Sequence, residues 1–173
     1  MQTISVRIDS AADLADWNAS YRADVVDALR AWEAPGSPVR FVIVSGSRSA
    51  DITVHWVARF PARYEGWTTV SWDHSGWLTS ADVSLALENP AGELLTPAAR
   101  SRVAMHELGH ALGLSHSTDG TSIMAPTVRT RSIGPDDIRT LRDLYADQPW
   151  TVTGLVATRR DARGGSQCAA PAG

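Results

Sequence analysis

The sequence predicts an α/β domain of the α+β kind: a twisted mixed sheet of about five strands carrying three helices. Two observations predict it. Short segments of strand-like alternation dominate the first half of the chain, and two of the three helical segments come after the last of those strands. The length of 173 residues adds a third, because it suits one domain with one hydrophobic core.

Ile4, Val6 and Ile8 alternate with polar residues and read as a first strand with one buried face. Ala19 to Glu33 reads as a helix, because Tyr21, Val25, Ala28, Leu29 and Trp32 fall on one side at helical spacing. Pro35-Gly36-Ser37-Pro38 forces a turn. Val39 to Val44 is a second strand, and Asp51 to Val57 a third, with Ile52, Val54 and Trp56 on one side. Thr68 to Trp72 and Asp82 to Leu87 are the fourth and fifth. A second helix spans Pro97 to about Leu112. Thr96 can cap it, Pro97 suits a first turn that lacks an N–H partner, and Gly113 stops it. A third helix begins near Pro135, with Asp136 and Asp137 in the first turn, where negative charge is favoured. Its apolar face is Ile138, Leu141, Leu144 and Tyr145. From Thr158 the chain loses periodicity, so we divide it into a domain over 1–147 and a largely disordered extension over 148–173.

Composition excludes several classes. The net charge of -3 argues against a nucleic-acid binder. No stretch approaches the roughly 18 apolar residues of a membrane span, and the N-terminus lacks the features of a secretory signal. All 16 basic residues are Arg, which we read as coding bias. The lone Cys168 can form no internal disulfide.

The chemistry is concentrated in His106-Glu107-Leu108-Gly109-His110-Ala111-Leu112-Gly113-Leu114-Ser115-His116. Four residues apart on a helix, His106 and His110 project from one face, where two imidazoles can share a zinc ion at about 2.0–2.1 Å. Gly113 lets the chain bend, so that His116 can return as a third ligand. Three protein ligands leave a fourth position open, as catalytic rather than structural zinc requires. Glu107 follows the first ligand directly, placed to take a proton from an attacking water and deliver it to the leaving amine. By composition the five fixed positions match by chance in about one such chain in a hundred thousand. The plain alternative is three unrelated histidines on an amphipathic helix.

These residues resemble those of the metzincin metallopeptidases, and within them the matrixins, most closely the compact bacterial type. Ser117 after the third His is the matrixin choice, and Ser122-Ile123-Met124-Ala125-Pro126 resembles the family's Met-turn, with Met124 as a hydrophobic floor under the metal. Asp136-Asp137-Ile138 through Leu144-Tyr145 resembles the closing helix, so the likeness covers roughly 4–146. The resemblance implies a zinc-dependent endopeptidase acting on extended polypeptide, secreted, monomeric, and without nucleic-acid or membrane partners. It implies that Thr68 to Trp72 is the sheet's edge strand, on which substrate pairs through Thr69, Val70 and Ser71. Pro126, Thr127 and Val128, continuing to Thr130, would line the pocket for the side chain after the cut bond. One catalytic zinc is expected and no structural zinc, because His55 and His74 do not stand in the matching pattern. Calcium is left open, with Asp82 and Glu88 as candidate remnants. Ala125 stands where the family has Tyr, and no upstream segment carries a blocking Cys.

Other residues have simpler readings. His55 is a half-exposed strand residue, and Asp73-His74-Ser75-Gly76 a turn. Trp56, Trp67, Trp72 and Trp77 pack the sheet, with Trp67 or Trp72 the candidates for substrate contact. Arg129 and Arg131 are solvated loop charges or selectors of acidic side chains. Two functions compete with the peptidase: a catalytically inactive binding module on the same fold, and a small-molecule zinc hydrolase.

Overall fold

A computed structural model describes residues 1–46, 49–61, 63–74, 78–146 and 167–171. The elements are β1 (Gln2–Ile8), α1 (Tyr21–Trp32), β2 (Val39–Val44), β3 (Ile52–Val57), β4 (Tyr64–Trp72), β5 (Leu78–Ala86), α2 (Pro97–Ala111), α3 (Pro135–Ala146) and β6 (Gln167–Pro171). They build one mixed sheet in the order β2-β1-β3-β5-β4-β6. Strands β2, β1, β3 and β5 are parallel neighbours, and β4 runs antiparallel to both β5 and β6.

Parallel neighbours cannot be joined by a tight turn, so α1 serves as the crossover from β1 to β2. Its Val25, Ala28, Leu29 and Trp32 are buried, together with Ile4, Val6 and Ile8 of β1 and Ile52, Val54 and Trp56 of β3. The Trp32 indole N–H donates to the Met105 carbonyl at 2.9 Å and so ties α1 to the middle of α2. Thr96 caps α2 by accepting from the Ala99 amide at 3.2 Å. At the other end Gly113 takes φ +93°, a left-handed conformation that a Cβ would strain. Two bonds close this end: Gly113 N–H to the His110 carbonyl at 2.8 Å and Leu114 N–H to the Gly109 carbonyl at 3.0 Å. That pair is the Schellman pattern, and it turns the chain back beside the helix it has left.

The five expected strands and three helices are present, and two strands are longer than their patterns. β4 begins at Tyr64 and β5 at Leu78. Gly in a strand interior weakens it, but Gly66 is held in the ladder by its partner Leu85.

Two expectations change. Residues 167–171, assigned to a disordered tail, form β6 against β4. Gln-Cys-Ala-Ala-Pro has no apolar alternation to reveal a strand; it pairs through its backbone, and only a neighbouring edge makes that possible. For the same reason β4 is an inner strand and not the sheet's edge. The rest of the expected tail (148–166 and 172–173), residue 147 at the end of the expected domain, Trp77, and Ser75 and Gly76 of the expected turn lie outside the described residues.

Trp32 has no exposed surface and links two helices. Trp32→Ala is expected to cost about 3–5 kcal/mol, read as a fall in the urea midpoint at unchanged slope.

Candidate metal centre

Helix α2 carries His106 and His110 one turn apart, both buried, and the turn at Gly113 brings back His116, which is exposed. The ring centroids are 4.6 Å apart for His106–His110, 5.3 Å for His106–His116 and 4.8 Å for His110–His116. One nitrogen from each ring lies within 4.8 Å of the other two. Among the described residues this is the one group of three or more His, Cys, Asp or Glu arranged to hold a metal ion.

The backbone fixes what these rings can do. His106 Nδ1 is 2.7 Å from the Ile123 carbonyl, and His110 Nδ1 is 2.7 Å from the Leu114 carbonyl. A carbonyl only accepts, so each Nδ1 carries its ring's proton and donates it. Each Nε2 is thereby turned toward the other ring, and the two stand 3.0 Å apart. A cation held between them would take both nitrogens as ligands. Tetrahedral ligands about 2.0–2.1 Å from zinc lie roughly 3.3 Å apart, close to this spacing. Burial pushes the His106 imidazole down to about 4, outweighing the raising effect of its bond to Ile123, and His116 lowers it further. His116 is lowered too, by partial burial of its ring. Burial thus favours the neutral, metal-binding form of His106 and His116, as a zinc site needs. The residues fit the metal.

Glu107 has no exposed surface. Its Oε2 accepts from the Thr68 hydroxyl at 2.6 Å, and that hydroxyl is also 3.1 Å from the Glu107 carbonyl. There is room for it because position 66 is glycine: a Cβ there would lie 2.5 Å from Glu107 Cγ. Sequence reading missed Thr68 and Gly66. They sit on β4, about forty positions before Glu107, and no local pattern links them to the helix.

Met124 is buried beneath the helix. A Cβ on Gly109 would stand 2.3 Å from its sulfur, so the thioether rests directly on the α2 backbone between the two ligand turns. The loop is pinned by Asp137 of α3, whose carboxylate accepts from the Ser122 hydroxyl, the Ile123 amide at 3.3 Å and the Gly134 amide at 2.8 Å. This chain of bonds sets the Ile123 carbonyl that orients His106.

The expected substrate residues are placed unevenly. On β4, Thr69 and Ser71 are exposed and Val70 is buried; beyond Met124, Pro126 and Thr127 are exposed and Val128 is buried. A cavity of about 550 Å³ opens beside His116, lined by Ser117, Asp119, Met124, Asp136 and Thr140 among others, and by none of residues 126–130. Arg129 and Arg131 are exposed. His55 bridges Asp9 at 3.0 Å and Asp82 at 3.3 Å, as a half-exposed strand residue can. Glu88 lies 3.8 Å from Arg59. Trp56 is core, its indole donating to the Asp9 carbonyl at 3.0 Å. Trp67 packs on Tyr64 at 5.5 Å and donates to Thr69 at 3.2 Å.

Comparison with known proteins agrees with this geometry. Metalloendoproteinase 1 of Glycine max is 40% identical over 77 residues, which cover 42% of this chain and 23% of that protein. Matrilysin of Felis catus is 50% identical over 48 residues, 25% of this chain and 18% of that protein. A probable matrix metalloproteinase 095L of Invertebrate iridescent virus 3 is 47% identical over 49 residues, 27% of this chain and 14% of that protein. The chain therefore aligns with less than a quarter of the length of each of these relatives. A family model described as Matrixin matches residues 2–146, which include β1 to α3 and every residue of the metal centre. With the family's fold and its three-histidine group both in place, the chain belongs to the matrixin family.

Proposed function

We propose that this chain is a zinc-dependent endopeptidase that hydrolyses internal bonds of extended polypeptides, in the extracellular setting usual for such enzymes. The observation that carries it is the convergence of three imidazoles, with the Nε2 atoms of His106 and His110 3.0 Å apart and His116 beside them. His106, His110 and His116 would hold one zinc ion. Zinc bound there supplies a Lewis acid that polarises the scissile carbonyl and acidifies water toward a pKa of about 7.

The chain's own residues do the rest. Glu107 takes a proton from the attacking water and returns it to the departing amine. Thr68 holds Oε2, so the carboxylate need not search for its orientation in each turnover. Met124 supports the ligand turns from below, in the manner of a Met-turn. Thr69 to Ser71 and Pro126 to Val128 are the segments assigned to substrate, by position along β4 and after Met124.

The test is digestion of an unfolded protein by the zinc-loaded chain, with products read by mass spectrometry. Internal cleavage that stops on chelation is expected. A zinc-loaded chain that cuts no substrate in a varied set would instead favour an inactive binding module. Glu107→Gln is expected to keep the metal and lose at least about a thousandfold in kcat; loss of zinc from that variant would make Glu107 a structural residue. Thr68→Val is expected to lower kcat roughly 10- to 100-fold with KM little changed, as the loss of a hydrogen bond to a charged group implies, while Thr68→Ser keeps most of the activity.

The pH dependence of the metal-free chain has a definite sign. His106 titrates near 6.5 when unfolded and at about 4 when folded, so unfolding takes up a proton between those values. The stability is complete above about 6.5 and is lost as pH falls toward 4, by up to about 3 kcal/mol. The urea midpoint measured in chelator should therefore drop from pH 7 to pH 5. His106→Phe, which removes the titrating ring, should flatten that drop.

A further inference from the structure

The outer edge of β4 bears directly on the site, and it is covered by the chain itself. Residues Gln167–Pro171 run antiparallel along it, pairing Thr69 with Gln167, Thr68 with Cys168, Trp67 with Ala169, Gly66 with Ala170 and Tyr64 with Pro171. Two of those β4 residues, Gly66 and Thr68, are the ones that pack on Glu107. β6 also approaches α2, the helix that carries the ligands. The segment is thus an extended peptide laid along the strand that positions Glu107.

An exposed strand edge presents a row of unpaired N–H and C=O groups, and any extended peptide can take them up. The β6 pairing reaches Thr69, where the stretch assigned to substrate begins, and two peptides cannot use the same groups or run through the same space at once. The β6 sequence is poorly suited to a permanent strand: Ala169, Ala170 and Pro171 offer little apolar area to bury, and Pro171 has no N–H to donate. The pairing also slips register between Tyr64 and Gly66. What favours occupancy is connection, since a segment on the same chain competes at an effective concentration on the order of millimolar.

We propose that Gln167–Pro171 is a tethered competitor for the polypeptide site: it fills the outer edge of β4 in the absence of substrate and must leave before an extended chain can pair there. This rests on the endopeptidase reading for the identity of the displaced ligand. The brake is weak by construction, because the segment has no large side chain to anchor it. It raises the apparent KM and leaves kcat alone.

The test uses the full chain carrying Cys168→Pro together with Ala169→Pro. Neighbouring N–H groups in a strand point to opposite sides, so one of the two prolines removes a donor aimed at β4. Three readouts are compared with wild type: amide hydrogen exchange over residues 66–69, the Kd of a labelled extended peptide by fluorescence anisotropy, and KM against kcat. Exchange should quicken in the variant, and Kd and KM should both fall about three- to tenfold at constant kcat. A synthetic peptide of residues 165–173 added to the variant should restore the wild-type values competitively. Cys168→Ser, which keeps the backbone donors, should behave as wild type. Amides at 66–69 that already exchange freely in wild type would overturn the proposal, as would an opened edge that leaves peptide Kd unchanged. An opening caused by Cys168→Ser alone would assign the restraint to the thiol and overturn it as well. A chain that never cleaves, yet binds peptide more tightly after the proline substitutions, would sustain the proposal and sink the endopeptidase reading.

Discussion

Two backbone carbonyls decide the chemistry of this chain. Those of Ile123 and Leu114 take the Nδ1 protons of His106 and His110, and this turns both Nε2 atoms toward each other. Without those acceptors the same rings could carry their protons on Nε2, where a proton blocks a metal ion. Each carbonyl has its own support. The Leu114 carbonyl comes from the turn that ends α2, set by the positive φ of Gly113. The Ile123 carbonyl belongs to the loop that Asp137 pins from α3. Three separate elements therefore cooperate to specify one proton position on each ring.

The other half of the site faces the sheet. Glu107 is wedged between α2 and β4, with Gly66 giving it room and Thr68 holding one oxygen. Burying a carboxylate is costly unless its lone pairs are met, and the threonine hydroxyl meets one of them. β4 thus does two jobs through opposite features. Its inward side chains fix the acid, and its outer backbone edge offers a peptide a row of hydrogen bonds. β6 takes that edge from Tyr64 to Thr69 from within the chain.

Much of this was legible in the sequence where a local pattern had a local cause. Alternation placed β1 and β3, and helical spacing with Thr96, Pro97 and Gly113 bounded α2 within a residue of its observed end. The fixed spacing of His106, His110 and His116 placed three imidazoles together, because a helical turn and a glycine bend are properties of the chain over a few residues. Other features had no such signature. Tyr64 to Trp67 do not alternate, yet β5 draws them into the ladder, and Gln167–Pro171 becomes a strand only because β4 leaves an edge free.

The order of residues by itself determined the spacing of the three histidines, the acid beside the first of them and the class of fold, since each follows from short-range geometry. Only the tertiary structure decided which nitrogen of His106 and of His110 donates to a carbonyl, what holds Glu107, and which segment lies against β4. Those depend on contacts between segments 17, 39 and about a hundred positions apart. Sequence spacing carries no information about such pairs; packing and the need to satisfy buried polar groups choose them.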